Sequence, residues 1–431
     1  MTRTGRDVLV TVLGNGVAPL AALGTAPVLA TSLEVTGRGA TAAATAPLLL
    51  ATALTSLGLP AAVTHVVARG SVTARRALAT ATPVAVVIGL LAAAVVGLVR
   101  NDLAGSDRQL GDLIGLTSLT LVPNLAAALL QAAAAGLRAW TLVALERTVT
   151  HGGRFVVIAA LAWTDALTVP AAVLTIALSP ALGALVYVRL LGRCPRSRAG
   201  GGRGGTTGVL LSYGVRVWLG SLAGTVLVRL DQTLLTPLAG TAALGIYAVA
   251  VSVSDLPTVV SNAVREVTFS SQSADNDPTS LGRVARVTTC ATLLTCAALA
   301  AVLPFAVPAL FGIDFSDAVP VAAVLLIGIA GSTPGSIAGV GLAAAGRPGL
   351  RSLSLGGAAV SSVVTLLVLA PGSGAMGAAV ATVVGNAVSS LGNLVALRWT
   401  TDVPIRSLFG LRRGDLVSVR ISTTRTRRKA P

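Results

Sequence analysis

Apolar runs long enough to cross a lipid bilayer recur from one end of this chain to the other, and that feature removes most folds from consideration. A helical span needs about 20 predominantly apolar residues to cross a hydrocarbon core of about 30 Å. No water in that core satisfies backbone N–H and C=O groups, so each run must close its hydrogen bonds within itself, as a helix. The 431 residues are 54% hydrophobic and only 11% charged, with a mean hydropathy of +0.83, whereas soluble domains carry about 25% charged residues. The chain is therefore read as all-α, a polytopic membrane protein in which no segment can fold as a water-soluble domain.

Charged residues, prolines and glycines punctuate the runs and place helices over 8–32, 40–66, 78–99, 111–135, 143–164 and 168–190. A second set of six falls at 209–236, 243–267, 284–311, 318–345, 352–370 and 375–398. Between the sets lies RCPRSRAGGGRGGTTG, residues 193–208, too polar for lipid and too glycine-rich for a helix. The expected organisation is a six-helix half over 1–192, a basic linker over 193–208, a second six-helix half over 209–398 and a basic tail over 399–431. Two such halves around a central site that opens alternately to either side form the usual architecture of a secondary transporter. Self-similarity between them is confined to GATAAATAP from Gly39 and GIYAVAVSV from Gly245, each placed just after an outer turn.

The formal charge of +16 is not the footprint of a nucleic-acid binder, because the basic residues form short clusters between apolar runs with few aromatics among them. Their distribution follows the rule that basic residues of short loops stay in the cytoplasm. With the N-terminus inside, 25 of the 32 basic residues fall in inner loops, the linker and the tail, while the outer loops hold only Arg38, Arg100 and Arg108. Both termini and the linker are thus expected on the cytoplasmic side of the cell membrane, and RTRRK near the end of the tail is suited to anionic lipid. The first apolar run resembles a signal peptide, but it reads better as an uncleaved first span. Cys194, Cys290 and Cys296 show neither metal-site spacing nor a disulfide framework.

Ionisable residues inside spans are costly and therefore candidates for function. Arg147, His151 and Arg154 stand at i, i+4 and i+7 of helix 5 and are expected on one face, a cationic stripe suited to an anionic group; the plain alternative has Arg147 and His151 snorkelling at the inner interface. Helix 7 carries Arg216, Arg229 and Asp231, the last two on different faces. Asp255 is expected halfway along helix 8, next to Pro257, where a carboxyl group can couple proton exchange to a conformational change or simply pair with a structural arginine such as Arg154 or Arg265. Asp255 and Asp231 are the coupling candidates, with H+ or Na+ as the ion and no other cofactor. No metal-ligand cluster, nucleotide-binding loop or nucleophile triad is present, and His65 and His151 are the only histidines.

Three stretches carry a family pattern. They are LEVTGRGATAAATAPLLLATALTSLGLPAAVTHVVARG from Leu33, LDQTLLTPLAGTAALGIYAVAVSVSD from Leu230, and AAAGRPGLRSLSLGGAAVSSVVTLLVLAPGSGAMGAAVATVVGN from Ala343. In order and spacing they resemble the polysaccharide-biosynthesis flippases of the multidrug/oligosaccharidyl-lipid/polysaccharide (MOP) exporter superfamily, over about residues 8–398. The resemblance implies the two-lobed fold of that superfamily and movement of an undecaprenyl-pyrophosphate-linked glycan from the inner to the outer leaflet. Arg154, Arg216, Arg229, Arg147 and His151 would then contact the pyrophosphate or the sugars, and membrane lipids and glycan-assembly proteins would be partners. Two other readings stay open. A cation-coupled drug exporter of the same superfamily would favour acidic and aromatic cavity residues, but helix 1 holds no carboxylate over 8–32 and aromatics are 3% of the chain. A membrane polymerase or acyltransferase would need a large outer loop or a placed catalytic histidine, and neither is evident.

Overall fold

The computed structural model describes residues 3–105, 107–187, 203–258, 278–401 and 405–410. Among them the chain forms twelve helical spans. Glu34 (φ 58°, ψ −175°) divides the run Arg3–Thr55 into α1 (3–33) and α2, which begins at 35 and resumes after a break as Leu59–Ala68. There follow α3 (Ala74–Leu103), α4 (Arg108–Ser118 and Leu121–Gly136), α5 (Trp140–Arg147, a π turn over Thr148–Gly152, and Gly153–Trp163) and α6 (Val169–Gly183, ending in a 3-10 turn Ala184–Tyr187). In the second half Gly240 (φ 86°) divides Arg203–Ser254 into α7 (203–239) and α8 (241–254). The last four are α9 (Pro278–Phe311), α10 (Ala318–Ala344) and the pair α11 (348–373) and α12 (375–400), divided at Gly374 (φ 52°). Eight helical runs are apolar and long enough to cross a membrane; three of these are the kinked pairs, and α5, interrupted by its π turn, supplies the remaining span.

The exposed large hydrophobic side chains face where lipid would be. They concentrate on α3 (Leu90, Leu98), α9 (Leu294, Phe305) and α11 (Leu353, Val368). Helix α3 and its counterpart α9 are equally peripheral, whereas α4 and α10 are the most enclosed of the apolar runs. The halves thus share an arrangement as well as a helix number.

Several boundaries differ from expectation, each for a local reason. The turn between α1 and α2 is a single residue in an uncommon left-handed conformation, so Arg38, expected in an outer loop, already lies one turn inside α2. Helix α2 is not straight: Leu57 (φ 43°) and Gly58 (φ 65°) interrupt it ahead of Pro60, which lacks the N–H that would continue the ladder. Helix α7 begins at Arg203 rather than 209, and α1 begins at Arg3, so Asp7 belongs to the first helix. Helix α8 runs to Ser254, is interrupted by one residue at Asp255 and resumes over 256–258; residues 259–277, with Arg265, lie outside the described residues, as do residues 188–202, which include most of the linker, and the tail beyond 410.

The halves touch at both ends of α2. At one end Gly39 meets the Thr241 carbonyl of α8, and Gly245 of α8 meets the Val35 carbonyl, so closely that a Cβ on either glycine would overlap backbone. Each glycine stands five residues past its kink residue, Glu34 or Gly240. The two weakly similar sequence stretches are therefore structural equivalents that pack against each other. At the other end Gly58 meets the Gly214 carbonyl of α7, the rings of His65 and Tyr213 stack with centroids 4.1 Å apart, and Trp218 Nε1 donates to the Ala53 carbonyl at 3.4 Å. About 26 residues of α2 separate Gly39 from His65, roughly 40 Å of helix. The two contacts therefore bracket whatever lies between the halves.

Candidate functional site

Between these contacts lies a cleft of about 400 Å³, walled by α1, α2, α5 and α6 on one side and α7 and α8 on the other. Its charged lining consists of Arg38 from α2, Arg154 from α5, Arg229 from α7 and Asp255 at the break in α8. Each is presented by a local break in regular structure or by its helix face. Arg38 is there because the preceding turn is one residue long. Asp255 stands at a one-residue break just ahead of Pro257, which lacks the N–H that would continue the ladder: Asp255 N–H still reaches the Val251 carbonyl at 2.9 Å, and Thr258 N–H donates to the Asp255 carbonyl at 3.0 Å as the helix resumes over 256–258. The Asp255 side chain is exposed and lines the cleft.

The cleft is short of anions. The Nε atoms of Arg38 and Arg154 are buried without a hydrogen-bond partner, although unpaired buried charge is costly and guanidinium groups normally find an acceptor. An ion pair between Arg100 and Asp112 at 3.3 Å lies elsewhere. Arg229 faces Asp255 and Asp231 electrostatically without contact distance to either. Three arginines and one carboxylate line the cleft, an excess of positive charge that can hold a multiply charged anion.

The three cationic residues of α5 stay electrostatic neighbours, with His151 facing both Arg147 and Arg154, but they do not all reach the cleft. Arg154 lines the cleft, whereas Arg147 and His151 do not. The cause is the π turn over Thr148–Gly152, which accommodates one extra residue and so rotates the remainder of α5 by about 100° relative to a continuous α-helix. The turn is braced from inside the first half. Thr150 Oγ1 donates to Glu146 Oε1 at 2.8 Å, Gln131 Nε2 of α4 donates to Glu146 Oε2 at 2.9 Å, and Tyr187 OH of α6 approaches the same oxygen at 3.5 Å. Gly183 lies against Thr150, with no room for a Cβ. Deleting Val149 is expected to remove the extra residue and leave Arg154 facing the cleft. Folded yield should be retained, and in a cysteine-free background an Arg154→Cys probe should remain accessible to a charged thiol reagent. Deleting buried Ala172 from the uninterrupted α6, which would rotate one of its faces by about 100°, should abolish folded yield.

Asp231 does not line the cleft. It is 6% exposed, accepts a short hydrogen bond from Tyr247 OH, and accepts from Thr382 Oγ1 at 3.3 Å and from the Gln232 backbone N–H at 2.7 Å. Tyr247 and Thr382 are themselves 2.9 Å apart. The cluster ties α7, α8 and α12 together. Arg216 lies on α7, and its side chain is outside the described residues.

Comparison with known proteins agrees with this architecture. The sequence profile of the family described as polysaccharide biosynthesis protein matches residues 4–269. The chain belongs to that family. Among curated protein sequences no relative matches it. Among solved structures, this polysaccharide biosynthesis protein is similar to a lipid II flippase, MurJ, in an inward closed conformation, with a TM-score of 0.74 and 12% identity over 97% of this chain and 92% of that one. It is also similar to an inward-facing multidrug resistance MATE transporter of the MOP superfamily (TM-score 0.63, 16% identity, 93% and 94% covered) and to the MATE multidrug transporter DinF-BH in complex with R6G (0.60, 14%, 94% and 95%). At these identities the likeness establishes the fold, and with the family match it places the protein in the MOP superfamily.

Sequence reasoning finds Arg154, Arg229 and Asp255, and the structure brings them together. It misses Arg38, which hydropathy assigns to a loop, and Glu146, which looks like part of the α5 inner end. The signal for Glu146 is its i, i+4 spacing to Thr150. The Leu-Asp and Gly-x-Tyr segments that carry the family resemblance meet in space as the Asp231–Tyr247 pair.

Proposed function

We propose that this polysaccharide biosynthesis protein moves a lipid-linked oligosaccharide precursor across the cytoplasmic membrane by alternating access, holding the pyrophosphate of an undecaprenyl-pyrophosphate-linked glycan in the cleft between its halves. The observation that carries this reading is the pair of unpartnered guanidinium nitrogens, on Arg38 and Arg154, with Arg229 opposite. Guanidinium groups bind phosphate oxygens through charge-assisted, often bidentate, hydrogen bonds. In a water-poor cleft those bonds are stronger than at a surface. Contacts at the two ends of α2 serve as alternating gates, and the arginine bias of the loops sets both termini in the cytoplasm. Asp255, open to the cleft and facing Arg229, is the first candidate for coupling to H+ or Na+; Asp231, enclosed by Tyr247 and Thr382, is the second. Arg147 and His151 act at the interface rather than on the cargo. The protein is read as a carrier rather than an enzyme, working within membrane lipid and alongside glycan-assembly proteins.

A drug exporter taking cationic compounds requires a cleft of the opposite charge. Purified protein should therefore be stabilised against heat by undecaprenyl pyrophosphate, by about 2.7 kcal/mol when the ligand stands a hundredfold above its Kd, and should be unaffected by the cationic dye R6G. Stabilisation by the dye with none from the lipid would favour the exporter.

A further inference from the structure

The cleft does not end at Arg229. Beyond it a second cavity of about 540 Å³ opens within the C-terminal half, among α7 to α12. The two spaces share Arg229, Gln232, Val251, Asp255 and Thr258 in their walls, so they adjoin. The second differs in chemistry. About two thirds of the residues lining it carry hydroxyl, amide or charged side chains, in a chain that is 54% hydrophobic. Its two arginines, Arg229 and Arg351, are matched by two carboxylates, Asp231 and Asp255. The amides of Gln232, Asn386 and Asn393 each offer donors and an acceptor. Asn393 is 3% exposed and its Oδ1 has no hydrogen-bond partner. Polar groups gathered inside a membrane-embedded half are costly unless something satisfies them.

We propose that this cavity is a sugar subsite, which receives the uncharged sugar joined directly to the pyrophosphate and reads its hydroxyl and acetamido groups with Gln232, Asn386 and Asn393. The proposal rests on the flippase reading above. Adjacency to the arginine cleft supplies the geometry, because the first sugar is bonded to the phosphate that the arginines hold. The volume lies in the range of pockets that enclose small organic ligands, enough for the first part of a glycan. The balance of charge selects a neutral sugar over a uronic acid. Recognition is by hydrogen bonds rather than by stacking: the one aromatic residue in the lining, Tyr247, is fully buried and its hydroxyl is committed to Asp231 and Thr382.

The test compares the binding of four lipids to the purified full-length protein: undecaprenyl pyrophosphate, and the same lipid carrying one N-acetylglucosamine, one glucose or one glucuronic acid. At least one neutral sugar is expected to tighten binding about tenfold over the bare lipid, and glucuronic acid is not. Asn393→Leu and Asn386→Leu, near-isosteric changes at separate points of the wall, should each remove most of that gain while leaving the affinity for the bare lipid unchanged. Arg154→Ala should weaken all four lipids alike. If no sugar adds affinity, or if both asparagine variants weaken the bare lipid as much as the sugar-bearing one, the subsite is refuted while the pyrophosphate cleft stands. Failure of every lipid to bind would overturn both.

Discussion

Arg154→Ala is expected to lower translocation of a pyrophosphate-linked lipid by about tenfold to a hundredfold, and Arg38→Ala by a similar factor. A hydrogen bond to a charged group contributes about 1.5–3 kcal/mol, and 1.4 kcal/mol is a factor of ten. Neither arginine holds another part of the protein in place through its Nε, since both atoms lack a partner. Folded yield and melting temperature should therefore change little or rise, because an uncompensated buried charge is removed. Arg147→Ala is the internal control. It adjoins the turn that aims Arg154 yet lies outside the cleft lining, so initial transport rates should stay within about twofold of the wild type. Arg154→Lys should recover only part of the loss, because an ammonium group keeps the charge but not the planar fork.

Gly245→Leu should abolish transport without preventing membrane insertion. A Cβ at this position would overlap the Val35 carbonyl of α2, and one at Gly39 would overlap the Thr241 carbonyl of α8. These are backbone atoms on packed helices and cannot move aside as a side-chain tip can. The two helices would have to separate, and the halves could no longer close at this end. Close approach through small residues is a recurrent means of helix association in membranes. The expected signature is increased labelling of a cysteine placed at Arg38 by a membrane-impermeant thiol reagent added from the α2/α8 side, together with loss of translocation. Gly97 of α3 has open space around its missing Cβ, and Gly97→Ala should leave both readouts unchanged.

The helix number is legible because hydropathy is set by solvent, and lipid imposes it on every span alike. Pairing of the Leu-Asp and Gly-x-Tyr segments is foreshadowed by the family pattern, although only the structure shows that Asp231 and Tyr247 are bonded to each other. Features that depend on a single backbone angle are not legible. Hydropathy does not reveal that the α1–α2 turn is the one residue Glu34, and so it misplaces Arg38. A fixed helical period cannot represent the π turn at Thr148–Gly152, and so it does not show that, of Arg147, His151 and Arg154, Arg154 alone lines the cleft. At Asp255 the neighbouring Pro257 reads as a bend in a continuing helix, and the structure breaks the helix there for one residue before it resumes over 256–258. Each of these departures lies on the wall of the cleft or immediately beside it. Local irregularity there places charge where a continuous helix would not.

The most direct test of the central claim is leaflet-specific translocation in proteoliposomes. Protein is reconstituted with fluorescent undecaprenyl-pyrophosphoryl oligosaccharide in one leaflet, and its arrival in the other is followed by a membrane-impermeant quencher. Protein-dependent arrival that falls at least tenfold in Arg154→Ala and Arg38→Ala vesicles, and is unaltered in Arg147→Ala vesicles, is the predicted result. Wild-type vesicles that leave the lipid in its original leaflet while expelling R6G, or translocation indifferent to both cleft arginines, would contradict the account.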